Sequence, residues 1–320
     1  SNGPAGGTDF STNIVQALTN STLTTQTVTY SIRGYTLNST GALNCAGPLL
    51  TVDIRVEPTV VVTTTGGGIT LCNGQSTNID VNTTNSATNG VRYNWTVSAP
   101  AGVTGASDGP AGGTAFSTNI TQALTNNTLT TQLVTYTITG YTLDAGGGLN
   151  CAGPPVNVNM WVEPNVLVTA TGATICSGSS TNIDVNTTYI PTNGVLYNWT
   201  VSAPAGVTGA SDGPAGGTPF AGNIVQTLVN TTLTSQRVTY TITGYTLTSG
   251  GALNCAGTPL TIDIWIEPVV AVTAAGATIC NGTATSIDVN TSHSATNGVV
   301  YNWTVSAPAG VTGATDGPAG

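Results

Sequence analysis

The chain has 320 residues and a net charge of −9, yet only 5% of its residues are charged, against ~25% in an ordinary soluble domain. Its basic side chains are Arg33, Arg55, Arg92 and Arg237, with no lysine, which argues against nucleic-acid backbone binding, because that needs clustered cations. No apolar run approaches the ~20 residues of a membrane-spanning helix. A hydrophobic content of 39% sets the chain apart from disordered polymers, which are apolar-poor and highly charged.

In chain order the first feature is Ser1-Asn2-Gly3-Pro4-Ala5-Gly6-Gly7-Thr8, which returns in variant form at Ser107, Ser211 and Thr315. The spacings are 107 − 1 = 106, 211 − 107 = 104 and 315 − 211 = 104 residues, the size of one sandwich domain and too long for a helical solenoid unit. Because the motif stands at both ends, the chain reads as a window on a longer array.

One full period shows short β-rich runs with period-2 alternation and no sustained helical period. Val60–Thr65 and Ile69–Leu71 are expected to form the first strand, and Asn73-Gly74 a turn. Ile79 and Val81 mark the next strand, and Val91, Tyr93, Trp95 and Val97 share one face of the third. Residues 120–124 follow, then Val134, Tyr136 and Ile138, then Val156, Val158, Met160 and Val162. Glu163-Pro164 closes the run, since proline cannot donate to a ladder; Glu57-Pro58 and Glu267-Pro268 repeat it. The expected organisation is a C-terminal part of a repeat at 1–58, complete repeats at 59–164 and 165–268, and an N-terminal part at 269–320. The short proline-containing linkers predict a rod. The fold class is all-β: immunoglobulin-like sandwiches end to end.

Trp95, Trp199 and Trp303 sit mid-strand and are expected in sandwich cores. Trp161 and Trp265 alternate with inward residues and should point outward, with Arg55 at their place in the first copy; they are candidates for packing against a neighbouring repeat or for a lateral contact. Asp80, Asp184 and Asp288 recur, as do Asp108, Asp212 and Asp316. They are weak calcium candidates, because calcium wants six to eight oxygens, usually from clustered carboxylates, so turn roles are expected and no cofactor. The lone histidine, His293, stands where other copies have Asn85 and Tyr189. With no recurring base, nucleophile or metal set, an enzyme is not expected.

Each full period carries two cysteines, the set being Cys45, Cys72, Cys151, Cys176, Cys255 and Cys280. An even, regular pattern implies disulfides. In a sandwich the first turn and the last loop lie at opposite ends, about 25–30 Å apart at ~3.3 Å per residue, whereas bonded Cα atoms lie within about 7 Å. An end-to-end array therefore favours Cys72 with Cys255, leaving the other four to partners beyond the window. Pairs within a repeat (Cys72–Cys151, Cys176–Cys255) and across the linker (Cys45–Cys72, Cys151–Cys176, Cys255–Cys280) stay open.

The repeat pattern carried by Thr174-Ile175-Cys176, Thr181-Asn182-Ile183-Asp184-Val185, Tyr197-Asn198-Trp199-Thr200, Val238-Thr239-Tyr240 and Cys255-Ala256-Gly257, and closed in the preceding repeat by Val162-Glu163-Pro164, resembles the PKD-like repeats of very large Bacteroidota cell-surface proteins, including gliding-motility adhesins. The resemblance implies export by the type IX pathway, surface display and a filamentous or adhesive role, and it brings no catalytic residues. The expected partners are neighbouring repeats, other copies in a filament, and an extracellular surface or glycan reached through regions outside this window. Two other readings remain: a glycan-binding module using Trp161 and Trp265, and an ice- or mineral-binding face made of Thr135, Thr137 and Thr139 with Thr239, Thr241 and Thr243.

Overall fold

The computed structural model describes residues 5–9 and 12–318; residues 1–4, which open the first motif copy, 10–11 and 319–320 lie outside the described residues. Among the described residues there are strands and turns but no helix. The chain divides into two compact units, Ser1–Glu163 and Pro164–Gly320.

The first unit opens with a hairpin of β1 (Gln26–Leu37) and β2 (Leu43–Val56), antiparallel from Gln26↔Val56 to Leu37↔Leu43. Asn38 builds its turn, its Oδ1 accepting from the Thr40 and Ala42 amides at 3.0 and 2.9 Å. Next come β3 (Thr63–Thr65), β4 (Thr70–Leu71), β5 (Asp80–Asn82), β6 (Val91–Ser98), β7 (Val103–Thr104), β8 (Thr125–Asn126), β9 (Gln132–Leu143), β10 (Leu149–Ala152) and β11 (Val156–Val162). β9 is the central strand of its sheet. It pairs antiparallel with β6, β10 and β11, while β4 lies parallel on β11. The short β3–β5 and β7–β8 ladders belong to the facing layer.

The period-2 alternation decides what is buried. On β9, Val134, Tyr136 and Ile138 are fully buried, and on β11 so are Met160 and Val162. They close on Val62, Leu71, Ile79, Val81 and Tyr93 from the first part of the repeat, and on Ile120 and Leu124.

Two segments are less regular than their patterns predict. The Val60–Thr65 run narrows to Thr63–Thr65, because the Val61 amide donates to the Asn85 side chain at 2.9 Å instead of to a ladder. Residues 120–124 form isolated bridges, Ile79↔Ile120 and Ser76↔Ala123. There the Gln122 amide donates to Thr77 Oγ1 at 2.9 Å, so a side chain takes the place of a strand partner.

The structure explains the Cys-Ala-Gly motif. A Cβ on Gly153 would lie 1.9 Å from the Val60 carbonyl oxygen, and one on Gly257 1.8 Å from that of Val166. Backbone on backbone leaves nothing soft to yield. Gly257→Ala is therefore expected to destabilise its repeat by about 1–3 kcal/mol, the usual cost of overpacking; a urea melt against the wild type measures it.

The second unit repeats the plan with β12 (Ala173–Cys176), β13 (Val195–Ser202), β14 (Val207–Thr208), β15 (Val229–Asn230), β16 (Gln236–Leu247), β17 (Leu253–Ala256) and β18 (Leu260–Glu267). β12 again lies parallel on the last strand, β18. Its core gathers Val168, Ile183, Val185 and Tyr197 against Ile224, Leu228, Tyr240, Ile242, Ile264 and Ile266. Beyond Glu267, the strands among the described residues are β19 (Thr273–Ala274) and β20 (Val289–Asn290), paired as a two-stranded ladder.

Candidate functional site: the junction between repeats

Each unit contains one joint where a repeat passes into the next through Glu-Pro. In the first unit the Glu57 carboxylate accepts from Thr25 Oγ1 at 2.6 Å and from the Thr88 amide at 3.2 Å. Thr88 Oγ1 also donates to Thr25 Oγ1 at 3.1 Å. Thr24 and Ser86 form a parallel bridge, with the Ser86 amide donating to the Leu23 carbonyl at 2.8 Å. Thr25 and Glu57 belong to the repeat before the linker, Ser86 and Thr88 to the one after it.

The second unit contains the same joint. Glu267 accepts from Ser235 Oγ at 2.5 Å and from the Thr296 amide at 3.1 and 3.2 Å. Thr234 bridges Ser294, whose amide donates to the Leu233 carbonyl at 2.8 Å. A fixed acid thus ties a hydroxyl of one repeat to a loop amide of the next, and backbone pairing runs beside it.

The electrostatics follow from this geometry. Burial works against ionisation of Glu57, but the hydrogen bonds from Thr25 and Thr88, with the charge of Arg55, outweigh it and hold the carboxyl below its usual range. Burial likewise opposes ionisation of Glu267, and Ser235 and Thr296 outweigh it. Glu163 is 1% exposed and accepts from Thr131 Oγ1 at 2.8 Å. Burial dominates there and pushes its carboxyl up, with Thr131 offsetting part of the effect.

A lowered folded value means that ionised Glu57 and Glu267 stabilise their joints above the ordinary glutamate range near ~4.3. That contribution is lost as pH falls through the depressed values. Glu163, with its raised value, has the opposite sign. Acidification should therefore speed hydrogen exchange at the Ser86 and Ser294 amides several-fold more than at the Tyr136 core amide, and Glu267→Ala should do the same at Ser294 at neutral pH.

A second set of joint residues escapes pattern reading. Asn126 is 2% exposed. Its Nδ2 donates to the Thr130 and Val162 carbonyls, each at 2.8 Å, and its Oδ1 accepts from the Thr128 amide and hydroxyl at 2.9 and 2.7 Å. Asn230 makes the same set in the second unit, reaching Ile266 at 2.9 Å. The asparagine locks the turn before the central strand to the last strand, just ahead of Glu163 or Glu267. Its only sequence signal is the recurrence of Leu-x-Asn-x-Thr-Leu-Thr, which looks like a glycosylation acceptor.

The other candidates fall as follows. Trp95 and Trp199 are half-buried against the cores, with Nε1 donating to the Ser107 and Ser211 carbonyls at 2.9 and 3.0 Å. Trp303 is 46% exposed. Trp161 and Trp265 point out of their sheets at 40% and 39% exposure, and Arg55 is exposed on β2. Asp108, Asp212 and Asp316 accept from the Val97, Val201 and Val305 amides at 2.7, 2.7 and 2.6 Å, which are turn roles. Asp80 accepts from Asn82 at 2.8 Å. No described group of three or more His, Cys, Asp or Glu side chains gathers around Asp80, Asp184 or Asp288. His293 hydrogen-bonds locally with Thr291 and the Ala271 amide. Cys72 and Cys255 are half-cystines, while Cys45, Cys151, Cys176 and Cys280 are exposed thiols. No described helix is long and apolar enough to cross a membrane.

A PKD-like domain profile matches residues 69–166 and again residues 173–270. No curated protein matches the sequence. Among solved structures, the human desmocollin-1 ectodomain is similar at 10% identity and a TM-score of 0.31, over 77% of this chain and 49% of that one. Trypsin-activated α2-macroglobulin from Escherichia coli aligns at 10% identity and 0.26, over 78% and 20%. Domains 4–9 of the surface layer protein SbsC align at 13% and 0.20, over 71% and 35%. The chain spans less than half the length of each.

Proposed function

The chain belongs to the PKD-like domain family, and on that premise we propose that it is a structural segment of an extracellular surface filament or adhesin stalk. The observation that carries this reading is the repeated joint, in which Glu57 and Glu267 hold equivalent partners at two separate junctions of the chain. A joint with fixed chemistry transmits orientation from one repeat to the next, which a spacer needs and an independent binding module does not. The resemblance to gliding-motility adhesin repeats extends the reading to display on a Bacteroidota surface after type IX export.

In this reading Cys72 and Cys255 are bonded to each other, stapling successive repeats. Support comes from these two being half-cystines while the other cysteines are thiols. Non-reducing peptide mapping tests it: a disulfide-linked Cys72–Cys255 peptide is expected, and half-cystine peptides carrying any other partner overturn the staple. Cryo-EM of native material tests the stalk, which should show a thin filament with an axial period of roughly 40 Å, from strands of ~8–10 residues plus loops. Compact particles overturn it.

A second reading rests on the 40% and 39% exposure of Trp161 and Trp265, enough for sugar stacking. Glycan-array binding that is lost in Trp161→Ala/Trp265→Ala would move it to the front.

A further inference from the structure

A sheet ends in a strand whose outward amides and carbonyls are a template for another chain, and proteins commonly blunt such edges with charge, above all with lysine. This chain has no lysine and only 5% charged residues. In the two complete repeats one edge of the main sheet is β6 or β13, which pair with β9 and β16 and with no other strand among the described residues. β13 reads Val195-Leu196-Tyr197-Asn198-Trp199-Thr200-Val201-Ser202. It is rich in aromatic and β-branched residues, uncharged and free of proline, a composition that favours strand-on-strand aggregation.

Each of these edges is closed from within its own repeat. Tyr93 exchanges both backbone bonds with Thr114, at 2.9 and 2.7 Å. The Trp95 amide donates to Asn94 Oδ1 at 2.8 Å and the Val97 amide to Asp108 Oδ1 at 2.7 Å, while the Gly109 amide donates to the Trp95 carbonyl at 2.8 Å. The second repeat has the same set: Tyr197 with Thr218 at 2.9 and 2.7 Å, the Trp199 amide on Asn198 at 2.7 Å, the Val201 amide on Asp212 at 2.7 Å, and the Gly213 amide on the Trp199 carbonyl at 2.9 Å. Alternate residues of a strand turn their amides to the same edge, so three successive edge amides are taken in each repeat, two of them by side chains. A side-chain acceptor stops a ladder, because it brings no backbone for a further strand to pair with.

The segment that closes the edge is itself a poor template. Pro110 and Pro214 have no amide to give. A Cβ on Gly109 would lie 2.2 Å from Asn94 Oδ1 and 2.8 Å from the Trp95 ring, and one on Gly213 2.1 and 2.8 Å from Asn198 Oδ1 and the Trp199 ring. Glycine is what lets the segment lie flat over both. Ser107 anchors its start, its carbonyl accepting from Trp95 Nε1 and Gln122 Nε2 at 2.9 and 2.7 Å.

We propose that the recurring Ser-Asp-Gly-Pro segment is an edge guard, in which Asp108 and Asp212, with Asn94 and Asn198, hold closed a strand-addition surface on β6 and β13, and that the partner this surface takes when opened is the same edge of a second copy of the chain.

The occupant follows from the edge itself. Two identical edges laid antiparallel satisfy each other's amides and carbonyls reciprocally about a twofold axis. The uncharged β13 meets its own image without opposing like charges. Every further copy of the chain presents such an edge in each complete repeat, so a surface coated with Thr and Asn instead of ions needs a steric and hydrogen-bonded guard where other proteins rely on repulsion.

The test compares sedimentation of the full chain with that of Asn198→Ala/Asp212→Ala, which strips both side-chain acceptors from β13. The variant is expected to self-associate about tenfold more tightly than the wild type. Its Trp199 and Val201 amides should exchange fast when dilute and slowly when concentrated. Slow exchange of the Tyr240 core amide shows that the repeat is folded; where it is lost, Asp212→Ala alone is read in the same way. Asp212→Asn keeps the Oδ1 acceptor and should behave as the wild type. Adding Thr200→Lys, which places a charge at an exposed position of the edge strand, should return the double-alanine variant to wild-type behaviour. A folded variant that associates no more than the wild type overturns the proposal. So does association that survives Thr200→Lys, which assigns it to another face, or equal association of Asp212→Asn, which assigns it to lost charge.

Discussion

Truncating Tyr240 to alanine is expected to cost its repeat about 3–5 kcal/mol, the range for a buried aromatic reduced to a methyl. The side chain is fully buried on the central strand among Val238, Ile242 and Ile264. Its hydroxyl donates to Gln226 Oε1 at 2.8 Å, and Gln226 in turn donates to the Ser211 carbonyl at 2.6 Å. The ring thus fills the core and its polar tip holds the loop that carries the Ser-Asp-Gly-Pro motif. Tyr240→Phe separates the two roles and should cost only about 1 kcal/mol, a typical net hydrogen bond. Urea unfolding of both variants against the wild type measures the difference.

The same burial has a pH signature. The phenols of Tyr136 and Tyr240 are pushed up to about 12 by burial, against small offsets from Thr77 and Thr181. A raised folded value means that their contribution is complete below the unfolded value near ~10 and lost as pH rises from there towards the folded value. Burial pushes the Tyr93 and Tyr197 phenols up as well, so ultraviolet titration should show these core phenols lagging the exposed ones, with Tyr136 and Tyr240 silent until the fold gives way in strong alkali.

Asn230→Ala is expected to cost roughly 3 kcal/mol, because it leaves the buried Ile266 carbonyl and its neighbours without a donor where water cannot replace it. The control is Asn20→Ala. Asn20 makes matching bonds to Thr24 and Val56 at 2.9 and 2.8 Å, but it is only half-buried. Water can take over there, so a loss of about 1 kcal/mol or less is expected. Equal losses at the two positions would mean that the asparagine works through local turn geometry and not through burial.

Much of this fold was legible because a sheet buried on one face writes itself as period-2 alternation. The runs around Tyr136 and Met160 announce their inward residues, and Trp161 falls outward by parity alone. Parity is silent about depth. Tyr93 and Trp95 share one face of β6, yet Tyr93 is fully buried and Trp95 half-buried, since which of them lies nearer the rim depends on the facing layer. Residues 120–124 read as a strand because their composition suits one; the Thr77 hydroxyl that interrupts the ladder is a long-range partner no local window contains. The joint was half legible. Glu-Pro marked its place, but the hydroxyls of Thr25 and Ser235 and the amides of Thr88 and Thr296 come together only once two repeats are in contact. Cys-Ala-Gly repeats in the sequence without a local reason for its glycine; the reason is the approach of the Val60 and Val166 carbonyls to Gly153 and Gly257 from far along the chain.

The parallel contact of the first and last strands has a mechanical consequence. Thr70↔Trp161 and Leu71↔Val162 in one repeat, and Ala173↔Ile264 through Cys176↔Glu267 in the other, set the entering strand beside the leaving one in the same direction. Pulling the two ends of such a repeat apart drags these strands past each other along their length. The hydrogen bonds between them are then loaded together in shear and must yield together, whereas a hairpin pulled from its open end peels one bond at a time. In the first repeat the Gly68 amide also donates to the Asn159 carbonyl and the Trp161 amide to the Ile69 carbonyl, and in the second the Ser177 amide donates to the Glu267 carbonyl, so both complete repeats carry an extended ladder of this kind and each should hold its length under load until that ladder shears as a unit.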